Sequence, residues 1–187
     1  RKEPSVLLQD EVKPDYNKII AISNQKGGVA KTSTCLNLGV ALTQMNKRVL
    51  LVDFDVQANL TILLGFRKTK SFYEILEGKT KDLNRVIEKT RYPKLDLLPS
   101  NSKMALLKKK YLNEDRFEYL LRDRLDLIKE NYDHILIDTP PSIEFFTLNA
   151  LVAANFVVIP TTCEYLSMHG INQINDILTV VKKGINQ

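Results

Sequence analysis

Residues 23–39 read SNQKGGVAKTSTCLNLG. Two lysines, a glycine pair and a Lys-Thr step (Lys26, Gly27, Gly28, Lys31, Thr32) are crowded together. Glycine-rich backbone offers N–H groups to a phosphate, lysine adds charge, and a threonine hydroxyl suits Mg²⁺. The common phosphate loop, G-x-x-x-x-G-K-[ST], is not what stands here. Counting back from Lys31, its two glycine positions hold Gln25 and Ala30. The glycines instead follow the other lysine directly, which raises the question of what that lysine does.

Three carboxylates could complete the chemistry. Asp53 and Asp55 stand in VDFDVQANLT, and Asp138 stands in LIDTPPS. Each comes at or just past the end of a short apolar run. Carboxylates can hold Mg²⁺, and a further one can order an attacking water.

The elements that must position these groups follow from periodicity. Apolar runs at 19–22, 49–52, 95–98, 135–137 and 156–159 suit parallel strands buried on both faces. Cys35, Leu38, Leu42 and Met45 share one face of a helix between the first two runs. A second stripe, Phe117, Leu120, Leu121, Leu125 and Ile128, opposes a charged face and predicts another helix. A third is Ile171, Ile174, Leu178 and Val181. SFYEILEG and DLNRVIEKT, within the less regular 66–92 stretch, read as two short helices. Alternating strand and helix predicts an α/β fold, a doubly wound, mostly parallel sheet with helices on both faces. Ligands of such sheets lie beyond the strands' carboxyl ends, where Lys31, Asp53, Asp55 and Asp138 all fall.

Bulk properties bound the rest. The 187 residues suffice for one domain with its own core. Residues 1–17 carry both charge signs and two prolines and read as an N-terminal arm, not a signal peptide. Residues 18–187 are the expected domain. No apolar run approaches a membrane span. A net charge of +5 and a pI near 9.1 are compatible with a polyanionic partner such as nucleic acid. Cys35 and Cys163 lie far apart without metal-type spacing and read as reduced thiols.

KGGVAKTS, LLVDFDVQANLT and ILIDTPPS together resemble the three nucleotide motifs of ParA/MinD-type ATPases with a deviant Walker A loop, nearest the ParA (Soj-like) branch. That family's loop reads K-G-G-x-G-K-[ST], and the likeness extends through VVIPTTCEYLSMHGINQI. It implies a P-loop NTPase fold, ATP and Mg²⁺ as cofactors, and slow, partner-stimulated ATP hydrolysis. Lys31 matches the lysine on the β- and γ-phosphates. Lys26 matches the signature lysine that reaches a partner subunit's nucleotide. Thr32 and Asp138 match the Mg²⁺ holders, Asp138 through water. Asp55 matches the aspartate that positions water, and Asp53 the carboxylate beside the metal. The amides of Gly27, Gly28, Val29, Ala30 and Ser33 are implied to surround the phosphates. The resemblance further implies an ATP-dependent homodimer, a ParB-like adaptor, nonspecific DNA binding by the full-length protein, and a cytoplasmic, nucleoid-associated setting in a bacterium or archaeon. A membrane partner is not expected.

Departures are few. Ala30 and Ala58 stand where the family has glycine, and Val56 where it has proline. Ala30 is expected to crowd the phosphate, and the other two to affect hydrolysis. Relatives continue past Lys183 with further strands, so the domain is expected to be C-terminally truncated, leaving an exposed sheet edge. Lys108, Lys109 and Lys110 read as a solvated helix face rather than a DNA patch. His134 reads as structural, and His169 has no assigned role. Other readings are a nucleotide-binding scaffold with negligible hydrolysis, a MinD-like membrane-associated positioning ATPase, and a small metabolic synthetase.

Overall fold

A computed structural model describes residues 18–78, 82–162 and 167–184. The arm at 1–17 and Cys163 lie outside these residues, as do the side chains of His169 and Ile171.

The chain runs β1 (Lys18–Ile22), α1 (Lys31–Gln44), β2 (Val49–Asp53), α2 (Asn59–Leu63), α3 (Phe72–Leu76), β3 (Glu88–Lys89), β4 (Leu95–Leu98), α4 (Met104–Tyr111), α5 (Leu120–Leu125), β5 (His134–Asp138), α6 (Phe145–Ala153), β6 (Phe156–Val158) and α7 (Ser167–Gly184). The six strands form one sheet in the order β3-β4-β2-β5-β1-β6. All neighbours are parallel except the β3–β4 pair. This is the expected mostly parallel α/β sheet.

Strand alternation sorts the core into two layers. Val49, Leu51, Leu95, Leu97 and Leu136 pack with Cys35 of α1 and Leu60 of α2. Leu50, Val52, Ile135 and Ile137 point the other way, toward Met104 of α4, Leu121 of α5 and Ala150 of α6. Helices therefore cover both faces. At Gly39 in α1 an added Cβ would lie 2.7 Å from Leu51 Cδ2, so the absent side chain lets α1 sit close on β2.

The structure corrects four sequence expectations. Met45 does not continue the α1 stripe: the helix ends at Gln44, Asn46 has φ 65°, and Met45 is 68% exposed. The stretch 117–128 is not one helix; it is a 3-10 turn at Phe117–Tyr119 followed by α5, although Leu121, Leu125 and Ile128 are buried as the stripe requires. DLNRVIEKT makes only a 3-10 turn at Leu83–Arg85 and then β3, whose antiparallel pairing to β4 is closed by the Thr90 hydroxyl donating to the Leu95 carbonyl at 2.7 Å. β6 is not buried on both faces: it pairs with β1 at the sheet margin, leaving Phe156 and Val158 exposed. SFYEILEG does form a helix, α3, started by a Ser71/Glu74 capping box.

In α7, Ile174 and Val181 are buried and Leu178 is half-buried. Lys108 pairs with Glu144 and Lys110 with Glu77. His134 opens β5 at the edge away from the strands' carboxyl ends.

Candidate functional site

Parallel register brings the chemical residues level. Ile22 pairs with Asp138, and Asp138 with Asp53. The Phe54 N–H donates to the Asp138 carbonyl at 3.0 Å, and the Thr139 hydroxyl to the Ile22 carbonyl at 2.9 Å, tying the three strand ends together. Phe54 anchors the loop after β2 from beneath. Its ring is fully buried, with edge contacts at 5.4 Å to both Phe72 and Phe146.

Between these ends lies an open cleft of about 330 Å³, walled by Gly27, Gly28, Ala30, Lys31, Thr32, Ser33, Asp55 and Gln57, with Asn59, Thr139 and Pro141 completing it. α1 begins at Lys31, and no side chain caps its N-terminus. Its first amides and dipole are thus available to an anion in the cleft. Gly28 has φ 73°, which turns the loop into the helix.

The two lysines of the loop face different ways. Lys31 is buried, lines the cleft and donates to the Lys26 carbonyl at 3.1 Å. Burial lowers its pKa, while Asp138 and Asp55 pull it back up. Lys26 is not on the cleft wall; its Nζ donates to Thr162 Oγ1, beyond β6, at 3.3 Å. Asn24 steadies this part of the loop, accepting the Lys26 N–H at 3.0 Å and donating to the Pro160 carbonyl at 2.7 Å.

Asp138 is almost fully buried, and its Oδ1 has no hydrogen-bond partner. Burial, with Asp53 and Asp55 nearby, pushes its pKa up to about 7, against a hydrogen bond from Thr32 and the charge of Lys31. An orphaned carboxylate oxygen beside a threonine hydroxyl fits a hard divalent cation. Among the described residues no three His, Cys, Asp or Glu side chains form a metal-holding group. A cation here would therefore complete its shell with phosphate oxygens and water. Asp53 is also raised by burial, to about 6, and both its oxygens are engaged by Thr61 and the Asp55 N–H. Val29 is buried, so only its backbone could meet a ligand. The Cys35 thiol, fully buried and near Asp138 and Asp53, is pushed well above the ordinary range and is a packing group.

These raised carboxylates carry a pH signature. Their contribution to folded stability is whole below the unfolded value near 3.8 and is lost as pH rises through about 6 and about 7. The nucleotide-free, Mg²⁺-free protein is expected to lose thermal stability from about pH 5 to about pH 8, and Asp138→Asn to flatten that slope in a melting series.

Ala30 and Ala58 both have left-handed backbones, with φ 63° and φ 54°. The cost of lacking glycine is thus conformational at both positions. A left-handed alanine costs on the order of 1–2 kcal/mol. Ala30→Gly is expected to raise the stability of the nucleotide-free protein by about 1 kcal/mol in urea denaturation, after the unfolded-state entropy of glycine is subtracted.

Sequence reading missed Gln57, Asn59, Thr139 and Pro141 as cleft walls. All four lie inside the quoted motifs, one to four residues from a named aspartate. That proximity was the available signal.

A lysine-bearing loop entering a helix N-terminus, faced by carboxylates at parallel strand ends, defines a P-loop nucleotide-binding protein. Comparison with known proteins narrows the class. The AAA domain family model matches residues 17–187. The sporulation initiation inhibitor protein Soj of Bacillus subtilis is 42% identical over 172 residues, 90% of this chain and 68% of that protein. The chromosome partitioning protein ParA of Myxococcus xanthus is 39% identical over 172 residues, 90% of this chain and 60% of that protein. The chain belongs to the ParA/Soj family, and it spans about 60–68% of the length of these two relatives. Among solved structures, cobyrinic acid a,c-diamide synthase from Mycobacterium smegmatis with bound ADP and magnesium superposes with a TM-score of 0.84 at 37% identity, covering 89% of this chain and 68% of that one. Among the described residues, no helix is long and apolar enough to cross a membrane.

Proposed function

We propose that residues 18–187 form the ATPase domain of a ParA-type switch that dimerises around ATP and positions DNA or other cellular cargo. The observation that supports this best is the divergence of the two loop lysines. Lys31 faces its own cleft, and Lys26 projects toward Thr162, off the cleft wall.

In this reading the α1 amides and Lys31 hold the phosphates. Thr32 and Asp138 hold Mg²⁺, which neutralises charge developing on the phosphate oxygens. Asp55, which also lines the cleft, orders the attacking water. Lys26 adds its charge to the nucleotide of a second copy, so ATP favours the dimer. An adaptor protein then speeds a slow hydrolysis, and the dimer releases nonspecific DNA.

Sedimentation with ATP and Mg²⁺ tests the reading. The unsubstituted protein is expected to dimerise, and Lys26→Ala to bind ATP yet stay monomeric. A dimer of undiminished strength in Lys26→Ala would overturn it. The second reading, a nucleotide-binding scaffold without turnover, draws on the two left-handed alanines that flank the site. It requires bound ATP to persist unhydrolysed for many hours, with adaptor and DNA present.

A further inference from the structure

Behind the cleft wall, a closed ring of hydrogen bonds grips the backbone of Asp55. Asp53 Oδ2 accepts the Thr61 N–H at 2.8 Å and the Thr61 hydroxyl at 2.6 Å. Asp53 Oδ1 accepts the Asp55 N–H at 3.3 Å. Thr61 Oγ1 in turn accepts the Ser100 N–H at 3.0 Å. The Ser100 hydroxyl donates to the Asp55 carbonyl at 2.6 Å, which completes the circuit.

Thr61 and Ser100 are 2% and 1% exposed, and neither lines the cleft. The single hydroxyl proton of Thr61 is committed to Asp53, and one of its lone pairs to Ser100, so the direction of each bond is fixed. Asp55 is therefore held at both its N–H and its C=O. Its side chain is turned by one more bond, the Gln57 N–H donating to Oδ1 at 3.0 Å. The ring joins three separate pieces of chain: the end of β2, the short α2 and the segment after β4.

We propose that Thr61 and Ser100 are positioning residues for Asp55, fixing the backbone from which its carboxylate enters the cleft. This rests on the role given to Asp55 above. Neither residue lies on the cleft wall. Their loss would loosen the geometry of the water-ordering group and leave phosphate binding by Lys31 and the α1 amides intact. Thr61→Val keeps the shape and removes the hydroxyl, leaving Asp53 Oδ2 short of a donor and the Ser100 N–H without an acceptor.

The test separates binding from turnover. Single-turnover hydrolysis is expected to fall at least about tenfold in Thr61→Val and in Ser100→Ala, since small misplacements of reacting groups are costly. Affinity for a nonhydrolysable ATP analogue is expected to stay within about threefold, and Thr61→Ser to restore hydrolysis to within about twofold, because the hydroxyl is all the ring needs. Amide exchange across residues 54–58, measured on the same proteins, is expected to quicken in Thr61→Val and Ser100→Ala. Unchanged hydrolysis in both variants overturns the proposal, as does a parallel loss of affinity and rate. If the unsubstituted chain shows no hydrolysis, the proposed function fails on its own, and exchange decides: quicker exchange in both variants sustains the positioning role, and unchanged exchange overturns it.

Discussion

Lys31→Ala is expected to weaken ATP binding at least about a hundredfold, and to remove measurable hydrolysis at ordinary nucleotide concentrations. The argument is geometric and electrostatic. Lys31 is the buried cation on the cleft wall, 8% exposed, at the first residue of α1. Burial already works against its charge, and Asp138 and Asp55 work to keep it. A polyphosphate in the cleft would strengthen that charge further. Each charge-assisted hydrogen bond lost contributes about 1.5–3 kcal/mol, and the proposed role on two phosphates gives the lysine two to lose. Fold stability should change little, because the ammonium donates to the Lys26 carbonyl within the same loop. Fluorescent-nucleotide titration beside a melting curve checks both halves. Retained affinity in a folded Lys31→Ala protein would remove the site from this cleft.

Asp55→Asn should separate the two functions that Lys31→Ala removes together. The amide is isosteric, and its oxygen can still accept the Gln57 N–H. The backbone grip of Ser100 and Asp53 on this residue is also untouched. What goes is the negative charge that would order and polarise water. Loss of such a group typically costs 10²–10⁴-fold, and a fall in hydrolysis of about 10²–10³-fold is expected here. ATP should bind as before, or somewhat better, since one carboxylate no longer repels the phosphates. The dimer should then persist on ATP, visible as a slow return to monomer after nucleotide is diluted. A hydrolysis rate within a few-fold of the unsubstituted protein would assign water ordering elsewhere.

Much of this site was legible in the sequence because its pieces are local. Lys31, Thr32, Asp53 and Asp138 each sit at a strand-to-helix or strand-to-loop junction, where short apolar runs end visibly. Burial of the strands on both faces was legible too, from continuous apolar runs such as 49–52, whose residues the structure divides between opposite layers. What could not be read was long-range or conformational. Thr61 and Ser100 are 39 positions apart, and Ser100 and Asp55 are 45 apart; no local pattern announces either bond. Ala30 was legible as a departure, but the conformational cost of its positive φ was not, because φ is not written in a residue name. DLNRVIEKT failed as a helix because Glu88 and Lys89 pair with β4 and the Thr90 hydroxyl bonds the Leu95 carbonyl, partners that helix periodicity does not register. The resemblance already told Lys26 and Lys31 apart; the folded loop adds that Lys31 lines the cleft while Lys26 bonds Thr162.

The level pairing of Asp53 with Asp138 makes the sheet a caliper for the site. Five residue pairs along β2 and β5, from Val49 opposite His134 onward, set where these two carboxylates stand relative to each other. A slip of one residue anywhere along that seam would turn one of them toward the opposite layer. The spacing of the chemistry is thus gauged by apolar side chains that never meet a nucleotide. Damage to Leu50, Leu51 or Leu136 would be felt as a fault of alignment in the cleft before it was felt as a missing group.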